Sequence, residues 1–147
     1  MSPIRNIWNE ANVDFNKGEN VTPVDILRKQ SDALNKDTDK TNIYSMIMSF
    51  SIKKNNVVDK VKHVLYIFPK NGNDYNYKLI EISSNPENDY PLQVYAYQSG
   101  NINFGKCKTE EEFYETLSKI FTDPRLKIVF EQLRNIGDTI ESFKQEE

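Results

Sequence analysis

Apolar positions along this 147-residue chain change their period twice. Near the start, Ile4, Ile7, Trp8, Ala11 and Phe15 recur at helical spacing. Ser2-Pro3 opens that run and Lys17-Gly18 closes it, the usual punctuation of a helix. This predicts an amphipathic N-terminal helix over 1–17, docked on its own domain or on a partner. A second start stands at Thr22-Pro23, with Asp25 in the first turn and Ile26, Leu27, Ala33 and Leu34 as the apolar stripe.

From Asn42 the period falls to two, the mark of strands. Strands are expected at Asn42 to Lys54, Val61 to Pro69, Tyr75 to Ser83 and Leu92 to Tyr97, with Ile102 to Lys106 as a fifth candidate. Asn55-Asn56, Asn71-Gly72 and Ser99-Gly100-Asn101 supply turns, because Asn and Gly accept left-handed backbone. The helical period then returns. Thr109-Glu110-Glu111-Glu112 reads as a capping box ahead of Phe113, Leu117, Ile120 and Phe121. Asp123-Pro124 opens a longer stripe of Leu126, Val129, Phe130, Leu133, Ile136 and Ile140, which Gly137 is expected to shorten. Strands grouped together with helices at both ends favour an α+β fold. The expected architecture is an antiparallel four- to five-stranded meander over 42–106. Two N-terminal and two C-terminal helices flank it and pack on the sheet, the latter over 109–143, in a single domain.

Tight turns at the asparagine pairs fix a register. Asn71-Gly72 sets Phe68 against Tyr75, Tyr66 against Tyr77, Val64 against Leu79 and Lys62 against Glu81. Asn55-Asn56 sets Phe50 against Val61, Met48 against His63, Met46 against Leu65 and Tyr44 against Ile67. One face then collects Tyr44, Met46, Met48, Phe50, Val61, Leu65, Ile67, Ile80 and Ile82, and is expected to be the core. The other carries Ser45, Ile47, Ser49, Ser51, Lys62, Val64, Tyr66, Phe68, Tyr75, Tyr77, Leu79 and Glu81. A slip of one residue at either turn would exchange the two sets.

Composition narrows the class. Eight Phe, eight Tyr and one Trp provide large burial areas for a core. The formal charge is −3 and the isoelectric point about 5.3, with interspersed charges, which argues against a nucleic-acid binder. The basic clusters Lys53-Lys54 and Lys60, Lys62 read as a solvated hairpin end. No stretch of about 18 apolar residues could span a membrane, and the N-terminus lacks the pattern of a secretory leader. The expected setting is the cytoplasm of a bacterial-type cell.

Catalytic signatures are sparse. The only histidine, His63, falls on the apolar face beside Met48 and Ile80, where a structural role is expected. The single cysteine, Cys107, cannot build a disulfide framework or a cysteine zinc site. Flanking lysines and a following helix start favour its thiolate, but three glutamates oppose that and no histidine stands beside it as base. Glu110, Glu111 and Glu112 suit a helix first turn. Asp37-Thr38-Asp39 lacks the glycine and distal Glu of a calcium loop. No cofactor or metal is implied.

The most distinctive feature is tyrosine in the strands: Tyr66, Tyr75, Tyr77, Tyr95 and Tyr97. Aromatic side chains give large contact areas at low entropy cost and suit recognition surfaces. They serve equally well as second-layer core if the first helix packs over them. The expected function is therefore non-catalytic protein binding or self-association, immunity-, inhibitor- or adaptor-like. Its surface would be the sheet face of Tyr66, Phe68, Tyr75 and Tyr77, with Lys62 and Glu81 at the rim. The alternative is a small-molecule binder or enzyme with a pocket between the sheet and the N-terminal helices, using Tyr66, Tyr77, Lys78 and His63.

Overall fold

The computed structural model describes residues 21–70, 75–97 and 102–146. The helix expected over 1–17, the turn at Asn71-Gly72 and the turn at 99–101 lie outside the described residues. Helix α1 (Pro23–Lys36) begins where the sequence places it. The Thr22 hydroxyl accepts from the Asp25 amide at 3.2 Å, and the Asp25 carboxylate accepts from the Thr22 amide at 3.1 Å. This reciprocal cap satisfies two otherwise orphaned amides. A single helical turn, Thr38–Thr41, follows, and Asn42 at φ 57° ends it.

Five strands follow in the order β1 (Ile43–Lys54), β2 (Val57–Pro69), β3 (Tyr77–Ser84), β4 (Leu92–Ala96) and β5 (Ile102–Cys107). They form one antiparallel meander, each strand beside the next. The fifth strand candidate is thus a full member. Asn55 and Asn56, at φ 54° and 64°, make the expected two-residue turn. Helix α2 (Glu110–Phe121) starts at Thr109, whose hydroxyl accepts from the Glu112 amide at 3.2 Å. The Glu112 carboxylate reaches past the cap residue to the Lys108 amide, at 2.5 Å.

Helix α3 (Pro124–Glu146) runs through Gly137 instead of stopping there. A Cβ at 137 would stand 3.0 Å from the Pro69 Cβ, so glycine here admits the end of β2. Apart from the single turn, three of the four expected helices flank the sheet among the described residues, the one expected over 1–17 lying outside them.

All three pack on one face. Ile43, Leu65, Ile67, Ile80, Ile82, Leu92, Val94 and Ala96 look toward them and are buried with Ile26, Leu27, Phe113, Leu117, Ile120, Leu126, Val129 and Leu133. Burying each Leu, Ile or Phe contributes about 1.5–3 kcal/mol, so this layer dominates the stability. Ser31, not Ala33, completes the buried stripe of α1; its hydroxyl lies 2.6 Å from that of Ser45.

Two bulges correct the expected register. In the β1–β2 hairpin, Lys54 pairs Val57 and Lys53 pairs Val58, as a two-residue turn requires. Then Ile52 pairs Lys60, which leaves Asp59 as an extra residue. The inserted residue turns the remainder of β1 over relative to β2. Ser45, Ile47, Ser49 and Ser51 thus take the helix side, and Tyr44, Met46, Met48 and Phe50 the outer side. The four residues expected in the core with Leu65 and Ile67 are therefore not there: Met46, Met48 and Phe50 are 40–42% exposed.

In β3, Leu65 pairs Ile80 but Tyr66 pairs Lys78, so Leu79 is the extra residue. Leu79 is buried in the core, not on the outer face, and Tyr77 packs against the same core. Lys78 turns outward. A third bulge lies in β5 at Phe104, beside Gly105 at φ 82°.

Candidate functional site

The outer face carries no described helix, and its side chains come from all five strands. On β1 it shows Met46, Met48, Phe50 and Ile52, each 39–42% exposed. Toward the start of β1, the Tyr44 and Phe68 rings stack with centroids 5.9 Å apart. Tyr66 and Tyr95 are half-buried on the neighbouring strands, and Val64 is fully buried among them.

A charged cluster lies at the centre of this face. Glu81 is 6% exposed and its carboxylate receives two lysines. Lys78 Nζ stands 2.7 Å from Glu81 Oε1 and Lys62 Nζ 3.5 Å from the same oxygen. Lys78 also sits 4.7 Å over the Tyr97 ring. Burial pulls the Lys78 ammonium down, but hydrogen bonds and charge from Glu81 and Tyr97 outweigh it, and the net shift is upward. Two ammonium groups on one carboxylate leave the centre of the face with a net positive charge, although the chain as a whole is acidic.

Of the six residues expected in the binding surface, Tyr66, Phe68, Lys62 and Glu81 come together. Lys62 and Glu81 are diagonal neighbours, not directly opposed: Lys62 pairs Ser83, and Glu81 pairs Val64. Tyr75 is 52% exposed and precedes β3, outside the sheet. Tyr77 is turned toward the helices by the bulge, and its hydroxyl donates to the Tyr97 carbonyl. Burial pushes its phenol up. The pattern-based reading placed Met46, Met48, Phe50 and Lys78 on the opposite face and so left them out of this surface. A signal for Lys78 was present: Leu79 and Ile80 are adjacent apolar residues inside an alternating strand, which a bulge explains. Val57-Val58-Asp59-Lys60-Val61 breaks alternation in the same way.

At the loop end of the face lies an open groove of about 600 Å³. Lys62, Lys106, Gln93 and Tyr95 line its sheet side, and Asn88 and Tyr90 its loop side. The Gln93 amide donates to Asn103 Oδ1 at 2.6 Å and to the Gly105 carbonyl at 3.0 Å. The Tyr90 hydroxyl is buried with no hydrogen-bond partner among the described residues, and burial, with Glu110 and Asp89 nearby, pushes its phenol up to about 12.

The other candidate groups face away. His63 lies on the helix side opposite Ser49 and Ile82, not beside Met48, with Nδ1 2.7 Å from the Ser49 hydroxyl. Burial first, and Arg28 second, hold its imidazole below the ordinary 6.5. The Cys107 thiol is buried in the core, 3.3 Å from the Thr116 hydroxyl. Among the described residues, no three His, Cys, Asp or Glu side chains gather as a metal site would require. No described helix is long and apolar enough to cross a membrane. Comparisons with protein-family models, with curated proteins and with solved structures gave no match for this chain.

Proposed function

We propose that this chain is a non-catalytic protein-binding module of the cytoplasm, acting by occlusion or as an adaptor through the outer face of its sheet. One observation carries the reading. Four large apolar side chains, Met46, Met48, Phe50 and Ile52, stand about two-fifths exposed in a row beside the Tyr44–Phe68 stack. Methionines and aromatics of this kind adapt to a partner and bury large areas. The cationic centre at Lys62 and Lys78 gives the patch a polar anchor, and complementarity then selects a partner with an acidic spot inside an apolar contact.

The test is native mass spectrometry of the purified chain and of a Met48→Asp, Phe50→Asp variant. Both positions are partly solvated, so the variant keeps its fold. The wild type is expected to carry a protein partner that the variant loses. Retention of that partner by the folded variant contradicts the reading.

A second reading rests on the groove beside Tyr90, Gln93 and Lys106. It makes the chain a binder of a small polar molecule. A small-molecule adduct lost on Lys106→Ala supports it.

A further inference from the structure

Beyond that face, we infer that the free edge of β1 is a docking site for a second copy of the same chain, joined by antiparallel strand pairing about a two-fold axis at Ser49. The argument starts from the backbone. Odd-numbered residues of β1 turn their amide and carbonyl groups away from β2, because Ser45 bonds with the Asn35 side chain and not with Ile67. The Ser45 amide donates to Asn35 Oδ1 at 2.7 Å, and Asn35 Nδ2 donates to the Ser45 carbonyl at 3.1 Å. The even-numbered side agrees, since the Asn42 carbonyl accepts from Lys70 at 2.9 Å. By this alternation Ile47, Ser49 and Ser51 present outward amides and carbonyls along the edge, and none of them has a partner among the described residues.

Natural sheets guard such edges. Asn35 covers this one at Ser45, and Lys53-Lys54 guards the hairpin end. The opposite edge strand, β5, has a bulge at Phe104 and Gly105 in a left-handed conformation. Between the two guards of β1, Met46-Ile47-Met48-Ser49-Phe50-Ser51-Ile52 holds no charge, proline or bulged residue.

The outward side chains of that stretch are symmetric in character about Ser49, with apolar residues at 46, 48, 50 and 52. With Ser49 facing the partner copy's Ser49, Ile47 and Ser51 each face the other's counterpart, and about six backbone hydrogen bonds form. On the outer face the same register sets Met48 against Phe50 and Met46 against Ile52. Every exposed apolar side chain of β1 then gains an apolar cross-strand neighbour. A two-fold consumes both β1 edges, so the assembly closes at a dimer with one ten-stranded sheet. The outer face that the functional reading invokes becomes continuous across the pair.

The test uses the full chain. Sedimentation equilibrium of the wild type is expected to give twice the chain mass at high micromolar concentration. Ser49→Pro removes an amide that β2 does not use, and proline is tolerated on such an edge. It is expected to give a folded monomer while leaving every outer-face side chain in place, so partner binding and dimerisation fail separately. A register test backs it. In the proposed pair the two Ser49 Cα atoms lie about 5.5 Å apart, within disulfide reach. Ser49→Cys should therefore cross-link on mild oxidation and Ser51→Cys should not, whereas a chain carrying both Ile47→Cys and Ser51→Cys should. A monomeric wild type, a dimer unaffected by Ser49→Pro, or equal cross-linking of Ser49→Cys and Ser51→Cys each overturns the proposal.

Discussion

Lys78 and Glu81 form a 2.7 Å ion pair on one face of β3 although they stand three positions apart. In a regular strand such residues point to opposite faces. The bulge at Leu79 reverses the alternation between them and makes the contact. One inserted residue thus moves Lys78 outward, Leu79 inward and Tyr77 against the core, and gives the outer face its cationic centre.

Removing the shared carboxylate should cost stability. Glu81→Gln leaves Lys62 and Lys78 facing each other across a neutral amide, with side chains 30% and 35% exposed. Burying an uncompensated charge pair would be severe, but partial exposure screens these two, so a loss of about 1–2 kcal/mol is expected. Lys78→Met should cost less, because Lys62 still meets the carboxylate. Urea denaturation of both variants checks the order.

Tyr90 carries a different prediction. Its hydroxyl is buried and has no hydrogen-bond partner among the described residues, so removing it sacrifices no hydrogen bond there. Tyr90→Phe should leave stability unchanged or raise it by about 1 kcal/mol. A loss above about 2 kcal/mol would reveal a partner that the structure does not contain. The same urea titration reads it.

The pH dependence follows from His63. The fold holds its imidazole below 6.5, so the unfolded chain takes up the proton first. Stability assigned to the neutral ring is present above the unfolded value, declines as pH falls through about 6.5, and levels off once the folded ring is also protonated. The wild type should therefore lose stability between about pH 7 and pH 5 more steeply than His63→Gln. Parallel profiles would contradict this placement.

Gly137 lies mid-helix, where alanine usually adds up to about 1 kcal/mol. Here the new methyl would meet the rigid Pro69 ring at 3.0 Å. Gly137→Ala is expected to lower stability by about 1 kcal/mol, with thermal melts as the check.

Much of the fold is written in local signals. Thr22-Pro23, Thr109, Asp123-Pro124 and Asn55-Asn56 each mark an element end through hydrogen-bonding chemistry that acts within a few residues. The face assignment was not local. It depended on whether each strand keeps strict alternation, and a single inserted residue at Asp59 was enough to exchange the sides of Met46 and Ser45. Apolarity alone favoured the methionines for the interior. What places Ser45 inside is its meeting with Ser31 and Asn35 of α1, a contact between residues 10–14 positions apart that no strand pattern contains. Tyr66, Phe68, Lys62 and Glu81 survived the change because their side of β2, and Glu81's stretch of β3, kept the expected parity.

The most direct test of the account is the rate at which dilute folded protein is oxidised by hydrogen peroxide, read by mass spectrometry at Met46 and Met48. These thioethers stand outside the core, so both should become sulfoxides readily while circular dichroism stays native. Protection of both until the protein unfolds would place them in the interior, and the outer recognition face would not exist.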